Sequence, residues 1–589
     1  MITPLQHASF FDWQLRLQEE RWMAYAGTRM KDLLAAKKLF AGRIWGIQRS
    51  NGMVILRFRH GEEPRMKTLF QLCLAGDIGN IPPNQWEFTY KDYRQSVTPR
   101  LSGKNTQVKT QYYLRAEDKQ WSFIGVSGFD AGLLDEIDKE YLELQKHPLI
   151  TLSETDPPAE YLIALRKYVS TEERMIANAI SEKFSERSSR VLSGESQKAI
   201  TISEALKNEG NVIVQGPPGT GKSYLAAEIA AEHLHQGKNV VIGALTNHSL
   251  SEIAGQPPLR VPVSQGKVYK TNLSADELKQ LDGLKPFTGT LPIQGDLLLI
   301  TFYQLAVLNE QLSASLPLAD LLIIEEASQA FLATISMFLP LGSKVLMIGD
   351  HKQLPPVVID RHEASKIIER PDEIINGFLS LILHAQNHPF LMTGTRRLSS
   401  AAAALTSLYY RSPLNSLAAR VENDPIAHSC LSLFHPEGGI SKALYDLRSI
   451  NGEPRRVIEL CCRAATELLS ISANTEVALL TPYVSAETLI YRSFSELSPE
   501  NPNLLISTIH KVQGITTDYT ILILPLDNPS FELDDQLFNV ATSRAKRGTL
   551  IISPEHIDMV INISTATSAF IKGSKDVSQH FKELLHLIS

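Results

Sequence analysis

From about Glu186 onward, short and wholly apolar runs alternate with longer amphipathic stretches. NVIVQ, NVVIGAL, LLLIT, LLIIE and KVLMIG come first; PFLMTG, VALLTPY, NLLISTIH, YTILILPL and GTLIIS follow from about Pro389. Runs of this length without polar alternation predict strands buried on both faces, and the helices between them predict a parallel sheet covered on two sides. Two such sets predict two α/β domains, 186–388 and 389–589. The first third reads differently. From Asp12 to about Leu39 the spacing predicts helix. AGRIWGIQ and MVILRFRH flank RSNG, whose Asn51-Gly52 is a favoured hairpin turn pair. EFTYKDY, TQYYLRA and WSFIGVSGF predict further strands, and helical spacing returns from Leu133 to about Phe184. Residues 1–185 are thus expected to hold a small β module, about 40–130, between two helical arms.

At 589 residues the chain needs several cores. Its longest apolar stretch, around Leu297–Leu308, is shorter than a bilayer-spanning helix, so no membrane partner is expected. The beginning MITPLQHASFFDW lacks the layout of a secretory signal. The four cysteines Cys73, Cys430, Cys461 and Cys462 show no C-x-x-C spacing, which argues against a zinc site or a disulfide framework and for a reduced, cytoplasmic protein. The net charge is −6, yet the stretch from Arg43 to Arg115 holds twelve Lys/Arg against five Asp/Glu. A local basic excess in an acidic chain points to polyanion contact or to a solvated face of the β module. Trp45, Tyr90, Tyr93, Tyr112 and Tyr113 lie among these cations, either as base-stacking groups or as barrel core.

The sharpest chemical signal is GPPGTGKS, residues 216–223, after the strand NVIVQ and opening the helix YLAAEIAAEHL. It fits G-x-x-x-x-G-K-[ST] in the strand–loop–helix context that the motif needs. Glycines let backbone N–H groups turn toward phosphate oxygens, and the helix N-terminus adds its positive dipole end. Lys222 reaches the β/γ-phosphates and Ser223 offers a hydroxyl to Mg²⁺. LLIIEE then ends an apolar strand in two carboxylates, where open α/β sheets place their ligands. Glu325 falls at a metal position and Glu326 at a water-activating one.

Further segments follow in order. They are ESQKAI around Gln197, ALTNHSLSEI (244–253), EEASQA, GDHKQLPPV (349–357), TGTRRL, LLTPY (479–483), STIHKVQGITTD (507–518) and NVATSRAKRG (539–548). The set resembles the superfamily 1 helicases, in the branch of the nonsense-mediated-decay helicase and the senataxin-type helicases, over roughly residues 186–553. The resemblance implies an α/β fold of two tandem RecA-like P-loop NTPase domains. A helical stalk and small β-barrel would precede them and touch nucleic acid.

It also implies roles. Gln197 reads adenine. Gly216, Pro217, Pro218, Gly219, Thr220, Gly221, Lys222 and Ser223 cradle ATP, with Gln513 and Gly514. Ser223 and Glu325 hold Mg²⁺, Glu326 positions the attacking water and Gln353 senses the γ-phosphate. Arg396 and Arg544 are the first and second arginine fingers. Thr246, Asn247, Thr301, Thr481, Pro482 and Thr508 contact the nucleic-acid backbone. His510 lies inside a helicase motif and is not a metal ligand.

Three positions depart from the family pattern: Glu325 stands for aspartate, Thr395 for the aromatic on adenine, and Thr516 for the glutamate on ribose. The expected function is an ATP-dependent helicase or translocase moving 5′→3′ on single-stranded DNA or RNA. No motif separates the two polymers, because that choice rests on contacts to the 2′-OH. Two other readings stay open: a nucleic-acid-gated ATPase switch acting with a protein partner such as a nuclease in bacterial defence, and a scaffold that binds without hydrolysis.

Overall fold

In a computed structural model of the chain, described residues run from 3 to 587, apart from 67, 75–82, 102–105, 116–119, 144–146, 157–158, 172–189, 193–196, 274, 290–294, 312–316, 385–387, 420–429, 447–453, 498–500 and 561–562. The end of the helical arm expected before Phe184 lies outside them. Two units emerge: Met1–Leu15 with Ala159–Pro482 and Ser507–Ser589, and Arg16–Pro158 with Tyr483–Ile506. Among the described residues no helix is long and apolar enough to cross a membrane, and all four cysteines are buried thiols outside any disulfide.

The smaller unit is built on strands β1 (Leu39–Gln48), β2 (Met53–Arg59), β3 (Leu69–Leu74), β4 (Gln107–Arg115), β5 (Trp121–Ser127) and β6 (Leu149–Ser153), closed in the order β1-β2-β5-β4-β3-β6. The Asn51-Gly52 hairpin joins β1 to β2, which pair antiparallel, and Gly52 takes the left-handed φ of +65° that such turns require. Alternate residues point inward: Ile44, Val54, Leu56, Val108, Ile124, Val126, Ile150 and Leu152 are fully buried. The closing strand β6 lies beyond the limit of 130 expected for the module, within a stretch read as helical. It pairs with both β1 and β3, so without it the barrel would have two open edges.

EFTYKDY was expected as a strand. The structure instead has a helix, Tyr90–Leu101. Thr89 decides this locally, because its Oγ1 accepts the Asp92 N–H at 3.2 Å as a helix cap. Tyr90 and Tyr93, three residues apart, then share one fully buried face. The helix Val484–Leu497 also belongs to the barrel unit, where Tyr491 packs on its core and Arg492 pairs with Glu63 at 2.9 Å.

The barrel is tightly filled. A Cβ on Gly125 would lie 2.2 Å from the Tyr112 ring. Gly125→Ala should therefore cost about 1–3 kcal/mol, the usual price of overpacking, read as a lower midpoint in denaturant unfolding.

The larger unit holds two parallel sheets. The first takes β7 (Arg190–Leu192), β8 (Asn211–Gln215), β9 (Val240–Ala244), β10 (Val268–Lys270), β11 (Lys285–Pro286), β12 (Leu297–Thr301), β13 (Ala319–Ile324), β14 (Gly342–Gly349) and β15 (Phe390–Met392), in the order β11-β10-β12-β9-β13-β14-β8-β15-β7. PFLMTG was expected to open the second set. It pairs instead with β8, Phe390 opposite Val214, and buries Phe390 and Met392 in the first core. The first sheet thus extends past 388.

A two-stranded piece, β16 (Gly394–Thr395) with β17 (Asn415–Ser416), follows. The second sheet is β18 (Ile440–Tyr445), β19 (Val477–Thr481), β20 (Leu504–Thr508), β21 (Thr517–Ile523), β22 (Ala545–Pro554) and β23 (Lys575–Asp576), in the order β20-β19-β21-β22-β18-β23.

The chain's beginning belongs to the larger unit rather than to an arm of the barrel. Phe10 and Phe11 meet Phe331 edge-on, with centroids 6.0 and 5.6 Å away. From the other flank of the barrel segment, the Tyr161 hydroxyl bonds Thr334.

Candidate nucleotide site

The P-loop links β8 to the helix Lys222–His235. Gly216 donates its N–H to Gly349 O at 2.9 Å, and the Lys222 ammonium donates to Gly216 O at 2.8 Å. A Cβ at Gly216 would sit 2.5 Å from Lys222 Cγ, so only glycine lets the lysine fold over the loop. Gly219 and Gly221 take φ of +72° and +87°, which favours glycine at both.

Next to the loop, β13 ends and Glu325 still donates its N–H to Gly243 O at 2.9 Å. Glu326 then turns sharply, with φ +51°. For a non-glycine residue this left-handed turn costs about 1–3 kcal/mol. It sends the two neighbouring carboxylates in different directions.

The Glu325 side chain is 1% exposed. Its Oε1 accepts from Ser223 Oγ at 3.2 Å, whereas Oε2 is buried with no hydrogen-bond partner. Burial, and then Glu326, push its carboxyl well above the usual range; Lys222 and Ser223 oppose them. An orphaned buried carboxylate oxygen beside a hydroxyl calls for a hard cation, and Mg²⁺ fits this oxygen pair. Among the described residues no three His, Cys, Asp or Glu side chains form a metal-holding group. A metal here would complete its shell with phosphate oxygens and water.

These groups open onto a cleft of about 490 Å³, a size suited to a nucleotide. Pro218 to Ser223, Glu325, Glu326 and Gln353 line it, with Gly514, Thr516 and Arg544. Glu326 Oε2 accepts from Gln513 Nε2 at 3.1 Å. Gln353 is buried and donates to Asp350 Oδ2 at 2.8 Å. Arg544 is fully buried; its Nε donates to Val540 O at 2.8 Å and its Nη1 to Val512 and Ile515 carbonyls at 3.4 Å. Burial, with Arg397 adjacent, lowers Arg544 to about 9.

Several residues depart from the sequence expectation. Arg396 lines the cleft but its side chain is exposed, and its N–H donates to Gly219 O at 2.9 Å. Arg397 also lines the cleft, half-buried, and donates to Ser543 O at 3.2 Å. Burial lowers it to about 10, while Glu252 and then Glu326 hold its charge up. Arg396, expected in the cleft, thus borders it together with its neighbour Arg397.

Thr395, read as the replaced aromatic, is fully buried under the P-loop and donates to Pro218 O at 2.9 Å. Its side chain cannot reach a base.

Glu252 was not singled out as a cleft residue, although it stands inside ALTNHSLSEI. There the helix Asn247–Ala254 begins at Thr246, whose side chain accepts from Ser249 N. Ser249, Glu252 and Gln256, at helical spacing, line the cleft. That spacing was the available signal. With Lys546, the lining carries five Lys/Arg against Glu252, Glu325 and Glu326, a cationic excess matched to a polyphosphate.

Gln197 is exposed just before the helix Lys198–Glu209 and is not among the lining residues; neither are Gly216, Pro217 and Gln513. The proposed strand contacts also lie outside the cleft. Thr246 and Asn247 follow β9, and Thr301 ends the neighbouring β12, where its Oγ1 bonds Gln304 at 2.9 Å. Thr481 with Pro482, and Thr508, end the neighbouring strands β19 and β20. Thr246 is exposed; Thr301, Thr481, Pro482 and Thr508 are buried. Of the five barrel aromatics, Tyr90, Tyr93 and Tyr113 are buried and Tyr112 packs over Gly125. Trp45 is 40% exposed, with the Arg57 guanidinium 4.0 Å over its ring and 4.3 Å over that of Trp121.

Comparisons with known proteins place the P-loop region within a matched family. The AAA domain family matches residues 193–365. An uncharacterized ATP-dependent helicase of Methanocaldococcus jannaschii is 25% identical over 281 residues, covering 45% of this chain and 40% of that protein. Regulator of nonsense transcripts 1 of Dictyostelium discoideum is 22% identical, covering 58% of this chain and 29% of its own length. DNA-binding protein SMUBP-2 of Rattus norvegicus is 23% identical, covering 60% and 42%. The chain thus spans less than half the length of each of these relatives. With the ordered motifs, the two parallel sheets and the P-loop cleft, these matches make the chain similar to the superfamily 1 helicases and support the branch of the nonsense-mediated-decay and senataxin-type helicases.

Proposed function

We propose that the protein hydrolyses ATP in this cleft and uses the cycle to translocate along, or unwind, single-stranded nucleic acid in the 5′→3′ direction. One observation carries the proposal. Phosphate-binding and carboxylate groups at the ends of β8, β13 and β14 face arginines from Arg397 and Arg544, on segments further along the chain. Lys222 exchanges its bond to Gly216 O for the β/γ-phosphates. Glu326, held by Gln513, takes the proton of the attacking water. Arg397 and Arg544 meet the charge that gathers on the transferring phosphoryl group. Mg²⁺, held by Ser223 and Glu325, would neutralise the phosphate oxygens when bound.

Groups on both sides of the cleft are needed for one reaction, so each turnover closes and reopens it. The ends of β9 and β12, and of β19 and β20, then supply two backbone-gripping edges that move relative to each other. Strand binding is expected to rest on phosphate contacts and to weaken steeply with salt.

The test is ATP turnover alone, with single-stranded DNA and with single-stranded RNA, using Lys222→Ala as the blank. Stimulation by either polymer, lost in the variant, supports the reading and names the substrate. Equal, variant-like rates under all conditions overturn it. Stimulated turnover without strand displacement would replace unwinding by a nucleic-acid-gated switch.

A further inference from the structure

Behind the cleft lies a buried polar network whose members, apart from Gln353, none of the motif assignments uses. Its centre is Asp350, a fully buried carboxylate just after β14. All four of its acceptor positions are filled. Oδ1 accepts from Gln215 Nε2 at 2.7 Å and from Lys352 N at 3.1 Å. Oδ2 accepts from Gln353 Nε2 at 2.8 Å and from the Tyr410 hydroxyl at 2.6 Å. Among the described residues no Lys or Arg forms a salt bridge with it. Four hydrogen bonds hold it directly, with the charge of Arg544 nearby, and the loss of one leaves a buried carboxylate short of a donor.

The network reaches the helix Asp535–Thr542, which packs by the second sheet. Asn539 Nδ2 donates to the Tyr410 oxygen at 3.0 Å and to Lys352 O at 2.9 Å. Three residues earlier, on the same helical face, Gln536 donates to His351 O at 2.9 Å. The same helix carries Val540, whose carbonyl holds Arg544 Nε. One chain of bonds therefore runs from Gln353 through Asp350 and Tyr410 to the helix that holds Arg544. Burial first, and Asp350 next, push the Tyr410 phenol far above its ordinary range, so it stays protonated and keeps donating.

We infer that Tyr410 and Asn539 are positioning residues for hydrolysis, setting Gln353 and Arg544 in register through Asp350. Without the Tyr410 hydroxyl, Asp350 recruits the second N–H of Gln353 and turns that amide away from the cleft. Nucleotide binding, which rests on the P-loop, stays intact while the chemical step suffers. The inference rests on the ATPase reading.

Tyr410→Phe keeps the ring and removes only the donor. Its expected effect is a fall of at least about tenfold in kcat for stimulated ATP hydrolysis, less than the about 10²–10³ of a donor lost at the reacting charge itself because Tyr410 acts through Gln353, with KM for ATP unchanged within about twofold. Tyr409→Phe is the matched control, because that neighbouring buried tyrosine bonds Thr567 Oγ1 at 3.0 Å, away from Asp350. It should lower Tm and leave kcat alone. Asn539→Ala should reproduce the kcat loss, and the double variant should lose no more than the worse single one. It also decides the matter where Tyr410→Phe fails to fold. A kcat unchanged in the folded variants, with only Tm lowered, overturns the positioning role. Wild-type protein without turnover under any condition overturns the ATPase reading and the bridge with it, an outcome distinct from the first.

Discussion

Arg397→Ala should cut stimulated ATP turnover by about 10³–10⁵-fold, the worth of an arginine at a transferring phosphoryl group. Arg396→Ala should act mainly on KM for ATP. The two arginines are adjacent in sequence and both border the cleft, yet their surroundings differ. Arg397 is drawn down to about 10 by burial and is kept charged by Glu252 and Glu326. A partly desolvated cation beside the cleft's carboxylates is a group whose desolvation a phosphate would relieve. Arg396 is exposed, with its backbone pinned to Gly219 O. A guanidinium there can lie over a purine ring, which is worth about 0.5–2 kcal/mol. Steady-state kinetics on both variants decides the assignment. A collapse of kcat in Arg396→Ala, with Arg397→Ala near wild type, would restore the register read from the sequence.

The same pair of residues marks how far the sequence could be read. The P-loop and the Glu325–Glu326 pair are legible because their chemistry is contiguous: for the P-loop a strand, a tight loop and a helix start lie within thirteen residues, Asn211 to Ser223, and glycine is required at fixed places. The buried strands of both sheets are legible because burial on two faces leaves no polar position to confuse the pattern. The finger arginine is not local. TGTRRL offers two adjacent arginines that both border the cleft, and only packing against Gly219, where a Cβ would meet Arg397 Cβ at 2.4 Å, sets how each one faces it. β15 failed for a related reason, since an apolar run does not say which sheet it joins. β6 lies inside a region of helical spacing and is defined by its pairing with two distant strands. The helix Tyr90–Leu101 shows the opposite case: a two-residue cap interaction outweighs an alternating pattern. Glu252 and Tyr410 carry no motif of their own, and only the fold reveals what they face.

Glu326→Gln should abolish measurable turnover, by about 10²–10⁴-fold for the loss of a general base, while ATP still binds. The substitution keeps the side chain's shape and an oxygen for Gln513 Nε2, so the cleft should survive. Two observations separate this glutamate from its neighbour. Glu325 is buried, bonded to Ser223 and orphaned at Oε2, as a metal ligand would be. Glu326 holds a left-handed backbone at φ +51° that glutamate does not choose for itself. Folding gains little from that strain, whereas a carboxylate turned into the cleft gives it a use. Glu325→Asp, which shortens the arm to the family's usual ligand, should therefore keep turnover and change chiefly its Mg²⁺ dependence. Measured side by side, nucleotide binding retained with turnover lost assigns water activation to Glu326. Turnover in Glu326→Gln within tenfold of wild type would move that role elsewhere in the cleft, to Glu252, the third carboxylate lining it.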